Sequence, residues 1–288
     1  MTAPSTSALE MDSAAVSGSV QHLVRLLDLF CCQGGAGMGY ALAGMTVHGV
    51  DIEPQPRYPF SFTQGDALAY LEAHGHEYDM IHASPPCQGY SHLTPADHKE
   101  KYPKLIPPLR EILKRLGKPY VIENVQGARH ELENPVMLCG SMFGLRTRRH
   151  RWFETNFHVA APCACNHSEM PLLVTTASKA SRAKRHALGV APKSVKHAPQ
   201  AYGIGWMSCD GLKECIPPAY TRHIAEAAFC MANDQAMARE ALSCRVLFWS
   251  VMPPKKYFHF SACVSVMLHY CPSRSRVSAV KQLNSPNI

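Results

Sequence analysis

The sequence predicts an α/β protein with a doubly wound, mostly parallel sheet and a small loop-rich insert, and two observations support this prediction. Over residues 24–124, short apolar runs alternate with helix-like segments, which is typical of β-α-β units. Reactive or acidic side chains follow several of these runs, and in open sheets ligands bind beyond the carboxyl ends of the strands. The chain has 288 residues, of which 46% are hydrophobic, and this suffices for one such domain.

The predicted elements follow one another in a regular order. Apolar runs predict four strands, at Arg25–Phe30, Val47–Asp51, Asp79–Ser84 and Tyr120–Glu123. Helices are predicted at Met38–Ala43, Ala67–Ala73 and Lys104–Leu116, and Pro217-Pro218 opens another that ends near Ala232. Because helices separate the strands, we expect parallel pairing, with the carboxyl ends of the strands at one edge of the sheet.

Composition predicts five segments along the chain. They are a disordered leader (1–22), a core (23–159), a loop-rich insert (160–200), the last part of the core (201–233) and a poorly ordered basic tail (234–288). The leader is rich in Ser, Ala and Thr, and residues 241–288 contain no Asp or Glu. Lys179–Lys196 carries six Lys and Arg residues and no acidic one, which favours phosphate contacts or a solvated loop.

Cysteine usage and hydropathy predict a cytoplasmic protein that does not enter a membrane. The twelve cysteines show no regular spacing, so reduced, buried thiols are expected. Residues 1–20 lack the basic start and apolar core of a signal peptide, and the apolar stretch Tyr257–Tyr270 is too short to span a bilayer. Cys163-Ala-Cys165-Asn-His167 is not a usual zinc spacing and no second ligand pair is obvious, so no metal is expected.

The first motif with chemical content is Asp28-Leu-Phe-Cys-Cys-Gln-Gly-Gly35, a Gly-rich turn between a strand and a helix. Such a turn lets a cofactor approach the backbone, although an ordinary turn would look the same. The spacing differs from G-x-G-x-x-G and no Lys-Ser/Thr follows, which disfavours a phosphate-binding loop. Asp51 ends the next strand 16 positions after Gly35, where a carboxylate can bind a ribose. Asp66 could bind an adenine amine or cap the following helix.

Three further motifs contribute groups for catalysis. In Ala83-Ser-Pro-Pro-Cys87-Gln-Gly-Tyr90, two prolines stiffen a loop that presents a thiol, the best side-chain nucleophile near neutral pH. The alternative is one buried cysteine among twelve. Glu123 ends a strand and could protonate a ring nitrogen. In the run 146–151, Arg149 and Arg151 share one face if the chain is extended, although the run could also be a solvated basic edge.

Taken together and in this order, the motifs resemble those of the cytosine-5 DNA methyltransferase family, in a compact form similar to small phage enzymes. The resemblance covers about residues 24–156 and 201–232. Its most specific part is Pro-Pro-Cys87-Gln followed 36 positions later by Glu123-Asn-Val and then by Arg149-His-Arg151. Glu214-Cys-Ile-Pro-Pro-Ala219 resembles the final motif. The resemblance implies a Rossmann-like methyltransferase sheet. It also implies that the insert recognises the target sequence.

Four positions depart from the family pattern. A cysteine, Cys32, stands where a glycine is usual, and Thr147 replaces a glutamine. Ile52 stands where a bulkier residue often covers the adenine, and Glu214 replaces an asparagine. None of these departures removes a reacting group.

The resemblance also implies roles for individual residues. Cys87 would attack carbon 6 of a flipped-out cytosine, Glu123 would hold ring nitrogen 3, and Arg149 with Arg151 would fix the base carbonyl. The cofactor would be S-adenosyl-L-methionine, bound by Phe30, Gly34, Gly35, Asp51, Ile52, Asp66, Ala67 and Cys215. Double-stranded DNA would be contacted by Ser91, Arg148, Lys184 and Arg185, and a monomer is expected. An RNA cytosine-5 methyltransferase and a non-catalytic DNA-binding homologue are the alternatives.

Overall fold

The computed structural model describes residues 24–92, 94–145, 147–168 and 202–232, all of which belong to the unit Met1–Ala236. The predicted leader up to residue 22, the larger part of the insert, including Lys184 and Arg185, and the predicted tail lie outside the described residues. The predicted domain boundaries therefore stay predictions.

Seven strands form one sheet in the order β3-β2-β1-β4-β5-β7-β6. Their bounds are β1 Arg25–Leu29, β2 Thr46–Asp51, β3 Ser61–Gln64, β4 Met80–Ala83, β5 Tyr120–Asn124, β6 Val136–Leu138 and β7 Arg151–Thr155. β7 pairs antiparallel with β5 and β6, and the other pairings are parallel. The mostly parallel sheet predicted from the sequence is confirmed.

Helices connect the strands and cover the sheet. Their bounds are α1 Gly35–Leu42, α2 Ala67–His74, α3 Ala96–Lys99, α4 Ile106–Leu116, α5 Cys209–Glu214 and α6 at residues 218–232. Among the described residues, no helix combines the length and the apolar character that crossing a bilayer requires.

Successive side chains of the central strands point to opposite faces of the sheet and pack in two separate hydrophobic cores. On one face, Leu26 of β1 packs in a cluster with residues of α1 and α6, including Tyr40 and Ile224. On the other face, Leu27 belongs to a cluster with residues of α2 and α4, including Leu113. Each such fully buried side chain contributes about 1.5–3 kcal/mol through removal of apolar surface from water. The sheet is therefore covered on both faces, as a doubly wound fold requires.

The sequence prediction missed β3, β6 and β7, and β7 shows why. Arg151–Thr155 combines two aromatic residues with three polar ones and shows no apolar run, yet it lies between two strands of the sheet. The carboxylate of Glu154 is 1% exposed and 2.6 Å from the guanidinium of Arg110 on α4. Because a partner from a distant helix neutralises this charge, hydrophobicity along β7 does not reveal its burial.

Two predicted helix starts were displaced. α4 begins at Ile106 rather than Lys104, and two prolines occupy its first turn, where the missing backbone N–H groups would have no partner within the helix. α1 begins at Gly35 rather than Met38. Its N-cap residue Gly34 has φ 83°, a left-handed conformation that glycine adopts without steric cost.

Candidate active site

The carboxyl ends of β1, β2, β4 and β5 meet at one edge of the sheet and border a cleft of about 240 Å³. This cleft is lined by eight of the twelve residues predicted to act in catalysis or to bind the cofactor. They are Phe30, Gly35, Asp51, Ile52, Cys87, Glu123, Arg151 and Cys215. The convergence follows from parallel pairing, which places the segments after neighbouring strands side by side.

The turn after β1 holds two non-glycine residues in left-handed backbone. Phe30 has φ 57° and Cys32 has φ 45°, a region that costs an L-residue about 1–2 kcal/mol. The backbone amide of Cys32 donates a hydrogen bond to Asp51 Oδ2 at 2.9 Å. The turn is thereby tied to the end of β2, and residues held in such strained conformations cluster at ligand sites.

Asp51 is buried, and two backbone amides fix its carboxylate. Oδ2 accepts from Cys32 and Oδ1 accepts from the amide of Glu53 at 3.0 Å. Each carboxylate oxygen has a second lone pair, so the group can still accept hydrogen bonds from a ligand. The neighbouring Ile52 is 63% exposed, which leaves an apolar surface on the cleft beside this carboxylate.

Gly34 and Gly35 are closely packed against other parts of the chain. A Cβ on Gly35 would lie 2.5 Å from the carbonyl oxygen of Ile216, and one on Gly34 would lie 2.8 Å from Pro59 Cδ. The chain itself fills the space that these glycines leave. Their small size therefore allows the close packing of the turn, and their contact with the cofactor stays a prediction.

Asp66 and Ala67 do not line the cleft. Asp66 is the N-cap residue of α2, and its Oδ1 accepts a hydrogen bond from the amide of Ala69 at 2.8 Å. Ala67 is buried at the start of the same helix. Of the two roles open to Asp66 from the sequence, capping is the one with a contact in the structure.

The loop that carries Cys87 is held by hydrogen bonds at both ends. The side chain of Asn124, at the end of β5, donates to the carbonyl oxygen of Pro85 at 2.9 Å. The amides of Tyr90 and Ser91 donate to the carbonyl oxygen of Cys87 at 3.0 and 2.8 Å. Asn124 was missed in the sequence analysis, which considered only the glutamate before it.

The electrostatic surroundings keep the Cys87 thiol protonated in the free protein. Burial raises its pKa above the ordinary value of a cysteine, and the negative charge of Glu123 acts in the same direction. The positive charges of Arg151 and Arg149 oppose this shift. The thiol is therefore sensitive to any change in the balance of charge around it.

Glu123 is a buried carboxyl group whose pKa burial raises above the usual range. Arg151 Nε lies 3.0 Å from its Oε1 and lowers the pKa in part, as does a hydrogen bond with Ser84. The geometry of the arginine contact is that of an ion pair, and Oε1 accepts no hydrogen bond from any described residue. A buried oxygen without a hydrogen-bond partner is available to a ligand in the cleft.

A chain of buried polar groups leads from the core to Glu123. The Tyr40 hydroxyl lies 3.0 Å from His82 Nδ1, and His82 Nε2 lies 3.0 Å from the hydroxyl of Ser84. Burial lowers the pKa of His82 to about 3, so its ring is neutral. Ser84 in turn contacts Glu123, which makes these three residues the support of the carboxyl group. The sequence gives no local signal of this contact, since His82 and Ser84 read as strand residues.

The two arginines have different surroundings. Arg151 pairs with Glu123 in the cleft, whereas Arg149 donates from its guanidinium to the carbonyl oxygen of Lys213 at 2.7 Å. The hydroxyl of Tyr220 on α6 donates to the carbonyl oxygen of Arg149 at 2.6 Å. Arg149 therefore connects the segment before β7 to α5 and α6. Of the two arginines, only Arg151 lines the cleft.

Gln33 anchors the other side of the cleft and was also missed. Its side-chain oxygen accepts from the amide of Ser208 at 2.9 Å, and its carbonyl oxygen accepts from the indole of Trp206 at 2.9 Å. These contacts hold the start of α5 against the Gly-rich turn.

Of the four residues expected to contact DNA, two belong to the part of the chain that the structure describes. Ser91 is half-buried behind the Cys87 loop, and Arg148 is exposed. Lys184 and Arg185 lie outside the described residues.

Four possible metal ligands lie together, which the sequence analysis did not anticipate. They are Cys139, His150, Cys165 and His167, and their ligand atoms all lie within 4.8 Å of one another. The second ligand pair, which is not obvious from the sequence, comes from the segment between β6 and β7. Cys163, in the motif first considered, is exposed and does not belong to the group.

No family model matches the chain, and neither does any curated protein. Similar solved structures include the methyltransferase EhMeth of Entamoeba histolytica, with 12% identity, coverage of 74% of this chain and 99% of that one, and a TM-score of 0.48. The Dnmt2 methyltransferase of S. pombe has 13% identity, coverage of 72% and 99%, and a TM-score of 0.47. A protein encoded within an E. coli prophage and assigned as a DNA modification methyltransferase has 23% identity and a TM-score of 0.35. The alignment covers 45% of this chain and 45% of the prophage protein, which is less than half its length. A proposal for the function must therefore rest on the residues of the cleft.

Proposed function

We propose that this chain is an S-adenosylmethionine-dependent DNA methyltransferase that methylates carbon 5 of cytosine through a covalent adduct with Cys87. The observation that supports it most is that Cys87, Glu123 and Arg151 line the same cleft as Phe30 and Asp51. A nucleophile, a carboxylic acid and a cation thus face one volume beside a strained turn and a fixed carboxylate, the set of groups that such chemistry requires.

The part of the cleft near β1 and β2 fits S-adenosylmethionine, which supplies an electrophilic methyl group when bound. Asp51 has acceptor capacity beyond its two backbone hydrogen bonds and would bind the ribose hydroxyls. Ile52 and Phe30 would give the adenine ring apolar contacts, and the high exposure of Ile52 is the observation that favours this. Cys215 completes the lining.

The part of the cleft near β4 and β5 supplies the groups that act on cytosine. The sulfur of Cys87 bonds to carbon 6 as the 5,6 double bond opens, while Glu123 donates a hydrogen bond to nitrogen 3 and offsets the charge that develops on the ring. Carbon 5 would then gain the methyl group, with S-adenosylhomocysteine as the leaving group, and lose its proton to a water molecule, so that the electron pair of its C–H bond becomes available for the double bond. The bond between carbon 6 and sulfur then breaks, its electron pair returns to sulfur, and the double bond is restored. The cytosine must leave the base stack for Cys87 to reach it.

The protonation states of the free protein suit this sequence of steps. Glu123, whose pKa is raised, can be protonated when the base arrives and can donate to nitrogen 3. Cys87, whose pKa is also raised, must lose its proton before attack, and the nearby positive charge of Arg151 favours the thiolate. Arg151, which lines the cleft, would also hold the base carbonyl, and Arg149 would support it through its contacts with Lys213 and Tyr220.

The proposal is tested by incubating the full chain with duplex DNA and S-adenosylmethionine labelled in its methyl group, followed by mapping of the modified base. We expect label on carbon 5 of cytosine and none with Cys87→Ser, because a hydroxyl is a much weaker nucleophile at neutral pH. Cys230→Ser is the matched control, since Cys230 is exposed on α6 and should retain full activity. Label on an adenine or on a cytosine amine would refute the proposal, as would activity in Cys87→Ser.

Substitution of 5-fluorocytosine in the DNA tests the covalent step separately. Fluorine at carbon 5 cannot leave as a proton does, so the adduct with Cys87 should persist and be visible as a shifted band on a denaturing gel. Transfer RNA offered in parallel distinguishes an RNA methyltransferase. DNA binding without label on any base would indicate a non-catalytic homologue.

A further inference from the structure

We propose that Cys139, His150, Cys165 and His167 form a structural zinc site. Two segments contribute the ligands: Cys139 and His150 lie at the two ends of the segment between β6 and β7, and Cys165 and His167 follow β7. Two thiols and two imidazoles are a ligand set that zinc takes in closed, four-coordinate structural sites.

Three of the distances between ligand atoms are close to those around one tetrahedral ion. Zn–S bonds of about 2.3 Å and Zn–N bonds of about 2.0–2.1 Å put neighbouring ligand atoms about 3.3–3.8 Å apart. Cys139 Sγ lies 3.3 Å from His167 Nε2, and His150 Nε2 lies 3.3 Å from Cys165 Sγ and 3.4 Å from His167 Nε2. Cys165 Sγ and His167 Nε2 are 2.7 Å apart, so this pair would open on coordination.

The surroundings also suit a bound cation. Cys139 is buried and the other three residues are half-buried, which removes competing solvent from the ligand atoms. The hydroxyl of Ser141 donates to Cys165 Sγ at 3.5 Å, a contact that stabilises a metal-bound thiolate and orients it. Two thiolates close together would repel each other, and a divalent cation compensates both charges.

A metal at this site would hold the backbone at His150, between Arg149 and Arg151. His150 lies between Arg149 and Arg151, and successive side chains of extended backbone point to opposite faces. A metal that holds His150 on one side would therefore hold Arg151 toward Glu123 on the other. This consequence for catalysis rests on the proposed function, whereas metal binding does not.

The test is the metal content of the full chain, purified without chelator and with an affinity tag that contains no histidine. We expect one equivalent of zinc by mass spectrometry of the elements. Cys165→Ser and His167→Ala should each lose it, while Cys163→Ser retains it, since Cys163 lies two positions from Cys165 but outside the ligand group. Retention of zinc in both ligand variants, or its loss in Cys163→Ser, would overturn the assignment.

Cobalt gives a readout that does not depend on how the variants fold. After zinc is removed from the wild type by a chelator, Co²⁺ should restore one equivalent, with the visible absorption of a tetrahedral ion and near-ultraviolet bands from thiolate ligation. Absence of these bands, or a purified chain that holds no metal and a Cys139–Cys165 disulfide, would refute the site. Because metal content is measured without DNA or cofactor, its failure is distinguishable from failure of the proposed methyl transfer.

Discussion

Removal of Arg110 should destabilise the fold far more than removal of an exposed arginine. Arg110 donates to both oxygens of Glu154, from Nε at 2.7 Å and from a terminal nitrogen at 2.6 Å, and the two side chains are 10% and 1% exposed. Arg110→Met would leave a buried carboxylate without its cation. Such a loss typically costs about 3–5 kcal/mol, against a total stability of about 5–15 kcal/mol.

The chain offers a matched control for this prediction. Arg115 on the same helix pairs with Glu72 at 3.0 Å, but these side chains are 64% and 57% exposed. Arg115→Met should therefore cost no more than about 1 kcal/mol, as exposed ion pairs usually do. The difference between the two variants isolates the effect of burial from the effect of losing an arginine in α4.

Urea unfolding followed by circular dichroism measures both variants. The midpoint for Arg110→Met should fall by roughly 1–5 M with an unchanged slope, given a slope of about 1–3 kcal/mol per M. The double variant Arg110→Met with Glu154→Leu should recover much of the loss, because no charge then remains buried. If Arg110→Met costs less than about 1 kcal/mol, or if the double variant is less stable still, the buried ion pair does not hold β7 in the sheet.

Three further predictions concern the cleft. Asp51→Ala should weaken binding of S-adenosylmethionine by about 1–3 kcal/mol through lost ribose hydrogen bonds, and calorimetry showing unchanged affinity would remove Asp51 from the cofactor site. Alkylation of Cys87 can be followed by peptide mass spectrometry, with the exposed Cys163 as reference, and should increase only above the pH at which an ordinary thiol ionises. Glu123→Gln should shift that increase to lower pH, because it removes a negative charge beside the thiol. An unshifted profile would contradict an effect of Glu123 on the pKa of Cys87. Asn124→Ala should lower the free energy of unfolding by about 1–3 kcal/mol, because the loop carbonyl that accepts from it would lose its donor; an unchanged urea midpoint would exclude this role.

The central part of the fold could be predicted because its information is local. β1, β2, β4 and β5 are apolar runs buried on both faces, and each keeps its hydrophobic character over several residues. β3 and β6 have only four and three residues. Runs this short carry no periodicity that separates a strand from a loop.

Some residues of the candidate site could likewise be predicted from local sequence, and others could not. Cys87, Glu123 and Asp51 could be placed at one edge because each follows a predicted strand. Ser84 and Asn124 support the site through contacts with residues 39 positions away in the chain, as in Ser84 with Glu123 and Asn124 with Pro85. Contacts at such separation depend on the pairing of β4 with β5, which no local pattern encodes.

Two departures from the family pattern prove to be neighbours in space. The thiol of Cys32 donates to Glu214 Oε2 at 3.7 Å, and both residues line the cleft. Cys32 occupies a left-handed position, φ 45°, where a glycine would fit without strain, so its side chain must be held by its surroundings. Glu214 raises the pKa of this thiol, after burial and the charge of Asp51, and keeps it a hydrogen-bond donor. Cys32 and Glu214 are therefore in contact with each other at the edge of the cleft, where they connect the turn after β1 to α5. Asp51, Cys87 and Glu123 line the same cleft.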